Sequence, residues 1–326
     1  MEVPCVRVER EQGEAARREL AESDLVVDEV EIVVEDGWLY IPVTNPDAVP
    51  SEFELVSHDL PTRTTQRMPA DILGFEPSYE RLGNIVLIDE DDSELAGEIA
   101  DAIIASALPV ETVLNRASKV KGETRVRDWD VLAGNGTETV HREYGCEFLL
   151  DVARVYFSPR LATERHRVTE QVTQDEHAFD MFAGVGPFVI PFANRGATVV
   201  GADVNEVAID YLQENARRNG VEDRVTAIPG DVRGTATEYE DWADRIVMNL
   251  PHSADEFLDT AVALASDDCV IHYYDIQHED DPFGPGEEAI RSAAEPEYDV
   301  TVETRREVRS YAPHELNVCL DVRLTR

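Results

Sequence analysis

Two glycines stand two residues apart in Asp180-Met-Phe-Ala-Gly-Val-Gly-Pro-Phe188, between an apolar run from about Ala178 and a helical pattern from Val189 to Arg195. Glycine accepts backbone angles that a Cβ forbids and lets main-chain N–H groups come close to a ligand. The dinucleotide fingerprint G-x-G-x-x-G is not met, because Phe188 and Val189 follow where a third glycine is expected. Alone, the pattern also fits a plain tight turn between a strand and a helix. The polar residues that follow favour a ligand. Ala197 to Ala202 reads as a second strand ending at Asp203, and an acid at this offset in a doubly wound sheet grips a ribose hydroxyl. Val225 to Pro229 closes on Asp231, and Ile246 to Met248 leads into Asn249-Leu-Pro251. Strand ends at 180, 203, 231 and 249 deliver polar groups to one edge, where open α/β sheets bind ligands. That order suits S-adenosylmethionine better than a nicotinamide. Gly184 and Gly186 are expected to face the methionine moiety, Asp203 to take the ribose and Asp231 the adenine amino group, with Asp180 and Phe182 as further cofactor contacts. Asn249 is a further contact; Asn205 is a weaker one, with a second reading as the cap of the next helix.

The elements that position these groups follow from hydrophobic period and breakers. Val3 to Val8 alternates as a strand, Glu9 to Glu22 is a polar helix, and Val26 to Val34 and Trp38 to Val43 form a hairpin across Asp36-Gly37. Asn45 to Gly74, broken by Pro46, Pro50, Pro61 and Pro69, reads as a linker. A second module has strands at Asn84–Asp89 and Val110–Asn115, with a helix at Glu94–Ala107 between them. Glu123 to Ala133 and Thr137 to Val155 read as strands joined by Gly134-Asn-Gly136, and a connecting helix runs from Ser158 or Leu161 towards Gln174. Ala208 to Asn219, Ala254 to Ala265 and Glu287 to Ala294 read as helices, and Cys269 to Tyr274, Tyr298 to Ser310 and Asn317 to Leu324 as strands. The expected fold is α/β: a C-terminal Rossmann-like sheet of the class I methyltransferase kind behind two smaller α+β domains. The boundaries are 1–45, a linker 46–77, a supporting domain 78–170 and a cofactor domain 171–326.

Composition limits the setting. The 326 residues carry a formal net charge of -39, with only two lysines, Lys119 and Lys121, against twenty-seven arginines. The acids are spread through patterned sequence and not gathered in blocks, which points to a cytoplasm rich in salt, a halophilic archaeal one, where self-repulsion is screened within ~3 Å at 1 M. Residues 111 to 170 hold ten basic and ten acidic side chains. This neutral island is where a polyanion could land. No apolar run approaches the length of a membrane span. Cysteines at 5, 146, 269 and 319 form no C-x-x-C pair and no histidine ligand spacing is present, so reduced thiols and no metal are expected.

Four stretches carry a closer likeness. The glycine turn, Met248-Asn-Leu-Pro251, Tyr156-Phe-Ser-Pro-Arg-Leu-Ala-Thr-Glu-Arg165 and Arg309-Ser-Tyr-Ala-Pro-His-Glu315 together resemble the archaeal and eukaryotic tRNA guanine-37 N1-methyltransferases, over roughly residues 80 to 326. The first module is similar to the small N-terminal domain of the archaeal members. A monomer is a separate expectation; the resemblance implies methyl transfer from S-adenosylmethionine to N1 of a guanine turned out of the anticodon loop of tRNA. It implies that Glu164 is the general base, which N1 needs because it carries a proton. It also implies that Arg125 stabilises charge on O6, that Tyr156 orders the target pocket and that Asn249 and Pro251 shape the base-binding loop. Each has a plainer alternative. Glu164 could be a helix-surface acid paired with Arg160 or Arg167, Arg127 could take the place of Arg125, and Tyr156 could be a core residue. Asn249 also fits methylation of an exocyclic amine. A sister family moves the aminocarboxypropyl group of the same cofactor at the same tRNA position, but its members usually lack the Pro-Arg-Leu and Asn-Leu-Pro kept here. A non-catalytic RNA-binding protein and a nicotinamide oxidoreductase complete the alternatives.

Overall fold

A computed structural model describes residues 2–62, 67–118, 122 and 126–326. The chain divides into two units, Met1–Met68 and Pro69–Arg326. In the first, β1 (Glu2–Glu9) is followed by α1 (Gly13–Glu22), β2 (Val33–Glu35), β3 (Trp38–Pro42) and β4 (Glu54–Asp59). The sheet order is β2-β3-β1-β4, and α1 buries Ala16 and Leu20 against Val6, Val8, Ile41 and Val43. Two expectations are corrected here. Residues 45–74 are not free of regular structure: β4 pairs antiparallel with β1 from Glu2↔Asp59 to Arg7↔Glu54, and α2 (Pro69–Leu73) opens the second unit. The prolines lie outside β4, and an edge strand needs a partner on one side only, so a polar sequence suffices. The strand expected over Val26–Val34 shrinks to β2, preceded by isolated bridges at Val26 and Val30. Charged residues at 28, 29 and 31 leave it too little apolar surface to pair along its length.

In the second unit β5 (Glu80–Leu82), β6 (Ile85–Ile88), β7 (Thr112–Arg116) and β8 (Trp129–Ala133) form a sheet in that order, with α3 (Ser93–Ala105) crossing between the parallel strands β6 and β7. Asp92 starts α3 by accepting from Glu94 N at 2.9 Å and Leu95 N at 3.3 Å. The single strand expected over Thr137–Val155 is a hairpin, β9 (Glu138–Glu143) and β10 (Cys146–Asp151). Its turn uses Tyr144 at φ 45 and Gly145 at φ 82, the doubly positive geometry that closes two-residue hairpins. The connecting helix is shorter than expected: a 3-10 turn at Pro159–Leu161 leads into α4 (Ala162–Thr169).

The rest is one seven-stranded sheet: β11 (His177–Asp180), β12 (Thr198–Asp203), β13 (Val225–Pro229), β14 (Ala243–Met248), β15 (Ala265–His278), β16 (Asp299–Ala312) and β17 (Glu315–Thr325). Helices α5 (Val189–Asn194), α6 (Glu206–Arg218), α7 (Val232–Thr235), α8 (Leu258–Leu264) and α9 (Gly284–Ala294) connect them. The order is β13-β12-β11-β14-β15-β17-β16, and only β17 runs against its neighbours. Alternate residues feed two cores: Val199 joins Val189, Phe192 and Leu212 on one face, while Val200 joins Met248, Leu258 and Ile290 on the other. Gly186 sits at φ 93, and a Cβ there would overlap the side chain of Leu212. Gly186→Ala is therefore expected to destabilise the protein by about 2–4 kcal/mol, from left-handed strain plus overpacking. Denaturant unfolding measures this, and an unchanged midpoint would remove the steric reason given for this glycine.

Candidate active site

The carboxyl edge of the sheet gathers the acids. Asp180, at the end of β11, is 1% exposed, and its Oδ1 accepts from Phe182 N at 3.1 Å. Burial, with the charge of Asp203 adding to it, pushes its carboxyl up to about 7. Asp203, at the end of β12, accepts from Gly184 N at 2.7 Å with one oxygen and from Asn205 N at 2.8 Å with the other. Its carboxyl is also raised by burial. A Cβ built on Gly184 would meet only the carbonyl oxygen of Tyr156, at 4.0 Å, so the space over the turn is open and the Tyr156 segment is its neighbour. Asn205 is the cap of α6, accepting from Val207 N at 3.1 Å and donating to Arg154 O at 2.9 Å. Asp231 lies further out. Arg233 grips it through Nε at 3.0 Å and Nη2 at 2.5 Å and holds its carboxyl below the usual range. Phe182 packs edge-on to Phe257 at 5.0 Å. Asn249 is half-buried after β14, and buried Pro251 accepts from Ile276 N at 3.2 Å.

The charge on Asp180 makes stability depend on pH. An unfolded aspartate titrates near ~3.9. Between about pH 4 and 7 the folded protein keeps this proton while the unfolded chain releases it, so stability falls as pH rises through that window, by up to about 4 kcal/mol. Asp180→Asn keeps an acceptor for Phe182 N and is expected to remove that part of the slope. Unfolding free energies of both proteins at about pH 5 and pH 8 test it; equal slopes would mean the carboxyl is charged throughout.

A second cluster shares Tyr156 with the surroundings of the turn. A pocket of about 170 Å³ is lined by Arg116, Arg127, Trp129, Tyr156, Arg160 and Arg309, among others. Arg127 lies 5.5 Å above the Trp129 ring, and Trp129 donates to Val152 O at 2.9 Å. Burial, reinforced by Arg116, lowers the Arg127 guanidinium from its ordinary value. Glu80 pairs with both Arg116 and Arg160. The Nε atoms of Arg116 and Arg309 are buried without a partner. Such donors suit an anionic or carbonyl-bearing ligand. Tyr156 is 37% exposed on this wall, so the core-residue alternative is set aside. Arg125 lies outside the described residues; Arg127 is the arginine of that segment found in the pocket.

Glu164 is neither on the surface nor among the pocket-lining residues. It is 4% exposed, on the first turn of α4. Arg167 grips both its oxygens, Nε to Oε2 at 3.0 Å and Nη2 to Oε1 at 2.7 Å. Tyr274 donates to Oε1 at 3.2 Å, and Arg306 forms an ion pair with Oε2 at 2.8 Å. The pairing with Arg167 matches the plainer alternative, but its burial does not. Arg167 is braced from behind by Asp321, at 2.5 and 3.1 Å. Asp321 in turn meets His272 Nδ1 at 2.7 Å, and His272 Nε2 lies 2.6 Å from Arg245 Nη1. A guanidinium only donates, so Nε2 accepts and the ring proton sits on Nδ1, facing Asp321. Burial pushes His272 down, in keeping with a neutral ring. Burial also favours a neutral Asp321, yet His272 and Arg167 outweigh it and hold that carboxyl far below the usual range. Arg245 ends the chain on Glu176 at 2.5 Å. Sequence reasoning missed this chain. Its one signal was an acid, Asp321, inside the apolar run Val318-Cys-Leu-Asp-Val322. Arg116, Trp129 and Arg309 were missed as pocket residues too, since they come from three separate strands.

A glycine turn after β11, acids after β12 and β13, and a reversed last strand define a class I methyltransferase. The model of the TRM5/TYW2 methyltransferase domain matches residues 139–303, that of the TYW2 N-terminal domain residues 64–137, and that of the tRNA methyltransferase 5 N-terminal domain residues 5–50. The chain belongs to the TRM5/TYW2 methyltransferase family. It is 42% identical to the tRNA (guanine(37)-N(1))-methyltransferase Trm5b of Pyrococcus abyssi, over 98% of this chain and 99% of that one. It is 34% identical to the tRNA(Phe) (4-demethylwyosine(37)-C(7)) aminocarboxypropyltransferase of Pyrococcus horikoshii, over 83% of this chain and 95% of that one. The solved complex of aTrm5 and tRNALeu superposes with a TM-score of 0.79 at 33% identity, covering 98% of this chain and 99% of that one.

Proposed function

We propose that this chain is a tRNA methyltransferase that moves the methyl group of S-adenosylmethionine to N1 of guanine-37. The observation that carries this reading is the end-to-end likeness to Trm5b, including residues 5–50, where a tRNA methyltransferase 5 N-terminal domain is matched. The residues at the sheet edge fit the cofactor: the cradle over Gly184 is open, and Asp203 already accepts two N–H groups where ribose hydroxyls would compete for its lone pairs. Asp180, Phe182, Gly184 and Gly186 would line the methionine end, and Asp231 would take the adenine amino group, once Arg233 shares it. Asn205 serves by capping α6. When bound, the cofactor supplies an electrophilic methyl on a sulfonium. An ionised Asp180 would favour that cation, so its affinity should rise with pH up to about 7.

The remaining chemistry belongs to the protein. Glu164 takes the N1 proton as the base attacks. The arginine facing O6, Arg125 or Arg127, meets the charge that develops there. Tyr156 and Asn249 hold the guanine, and Pro251 stiffens the loop that carries Asn249. The extrusion of a stacked base costs a few kcal/mol, which the arginine-rich pocket can offset through contacts to phosphate and base. In a chain this acidic, those contacts lean on stacking and directed guanidinium bonds more than on net charge. We further propose that the protein works in the cytoplasm as a monomer, with residues 1–45 and 78–170 serving tRNA recognition. No helix among the described residues is long and apolar enough to cross a membrane.

Unmodified tRNA transcript, labelled S-adenosylmethionine and the full chain in high salt, followed by nucleoside mapping, test the reading. The expected product is 1-methylguanosine at position 37. A larger group on that nucleotide would instead place the chain with the aminocarboxypropyl relatives.

A further inference from the structure

The buried chain behind Glu164 is one positive charge short. Glu176, Asp321 and Glu164 bring three carboxylates, and Arg245 and Arg167 bring two cations. His272 is neutral, and burial pushes the Tyr274 phenol and the Cys319 thiol well up, which keeps both uncharged. The balancing charge is Arg306, whose side chain is 43% exposed on β16, three residues before pocket-lining Arg309. The groups facing Glu164 are thus Arg167 from α4, Tyr274 from β15, Cys319 and Asp321 from β17, and Arg306 from β16. Arg167 cannot leave easily, because Asp321 holds it from the other side.

On the reading of Glu164 as general base, we infer that Arg306 is an exchangeable counter-ion: RNA phosphate draws it off the Glu164 carboxylate, and the N1–H of the target guanine takes the vacated lone pair on Oε2. The buried chain is then left one charge negative in a low dielectric. Taking one proton restores its neutrality, so docking of the polyanion itself raises the drive for deprotonation at N1. The step balances. The N1–H proton passes to Glu164 Oε2, the pair it leaves on N1 forms the N1–CH3 bond, and the S–CH3 pair stays on sulfur, turning sulfonium into thioether. Arg167 and Asp321 are positioning residues here, acting on the guanine only through Glu164.

The pH dependence of single-turnover methylation separates free enzyme from complex. The rate at limiting RNA reports groups in the free protein, and the rate at saturating RNA reports groups in the complex. With full-length Arg306→Gln, the acid limb at limiting RNA is expected to move to higher pH, because Glu164 has lost its free-state cation. The acid limb at saturating RNA should stay where it is, and the half-saturating RNA concentration should rise several-fold. Limbs that move together would show Arg306 still on Glu164 during chemistry, and limbs that both stay would show that it never balanced the base; either overturns the proposal. Asp321→Asn should move both limbs to lower pH, since Asp321 is in place in both states. Should that variant fail to fold, Arg306→Gln decides alone, its side chain being largely in solvent. Glu164→Gln is the control. If it keeps the wild-type rate, the base reading fails; if it is inactive while the Arg306→Gln limbs move together, only the counter-ion exchange fails.

Discussion

Glu164→Gln is expected to lower single-turnover methyl transfer by about 10²–10⁴-fold, the range that general-base catalysis contributes. The amide is close in shape to the carboxylate and can still accept from Arg167 and Tyr274, but it cannot take a proton from N1. S-adenosylmethionine binding should be unchanged, since Glu164 makes no contact with the glycine turn or with Asp203. Glu164 is also a structural group: it joins two arginines and a tyrosine in a space almost closed to water. Removing a charge from such a cluster destabilises, typically by 3–5 kcal/mol for a broken buried pair. The rate must therefore be measured where the variant is folded, with the cofactor affinity as the check. A folded Glu164→Gln protein methylating tRNA at the wild-type rate would leave the base to be found elsewhere and would make this cluster purely structural.

Asp203→Ala should weaken the cofactor while leaving tRNA binding in place. In the ligand-free protein its carboxylate accepts from Gly184 N and Asn205 N and thereby shapes both the glycine turn and the entry to α6. Hydrogen bonds to a charged acceptor contribute about 1.5–3 kcal/mol each, so the loss of a ribose grip plus a disordered turn should weaken S-adenosylmethionine by about 10–100-fold. Calorimetric titration gives the affinity directly. Binding of tRNA should be little changed, because the arginine pocket shares no residue with this carboxylate. The outcome that sinks the assignment is an unaltered cofactor affinity. Asp203 would then be only a brace for the turn.

The polar edge of the sheet was readable in the sequence because its parts are local. A strand ends, a glycine turn follows, and the next strand ends in an acid; each step needs only the neighbours of Gly184, Asp203 or Asn249. The same locality offered the cap as the second reading of Asn205, whose bond to Val207 N spans two residues. Reading failed where a polar segment became a strand by pairing with something far off, as β4 did with β1, and where one expected strand folded back on itself at Tyr144 and Gly145. Neither partner nor turn is written in the hydrophobic period.

By itself, then, the amino-acid order determined the class of sheet, the cofactor it suits and the short stretch that carries Glu164. The first two follow from period, glycine and spacing, which act over a few residues; the stretch that carries Glu164 was marked only by its resemblance to a family. Only the tertiary structure decided what surrounds that carboxylate. Arg167 is three residues away, but Arg306, Tyr274 and Asp321 arrive from three other strands, more than a hundred residues along the chain. A buried charge is defined by the sum of its neighbours, and that sum exists only after the chain has folded.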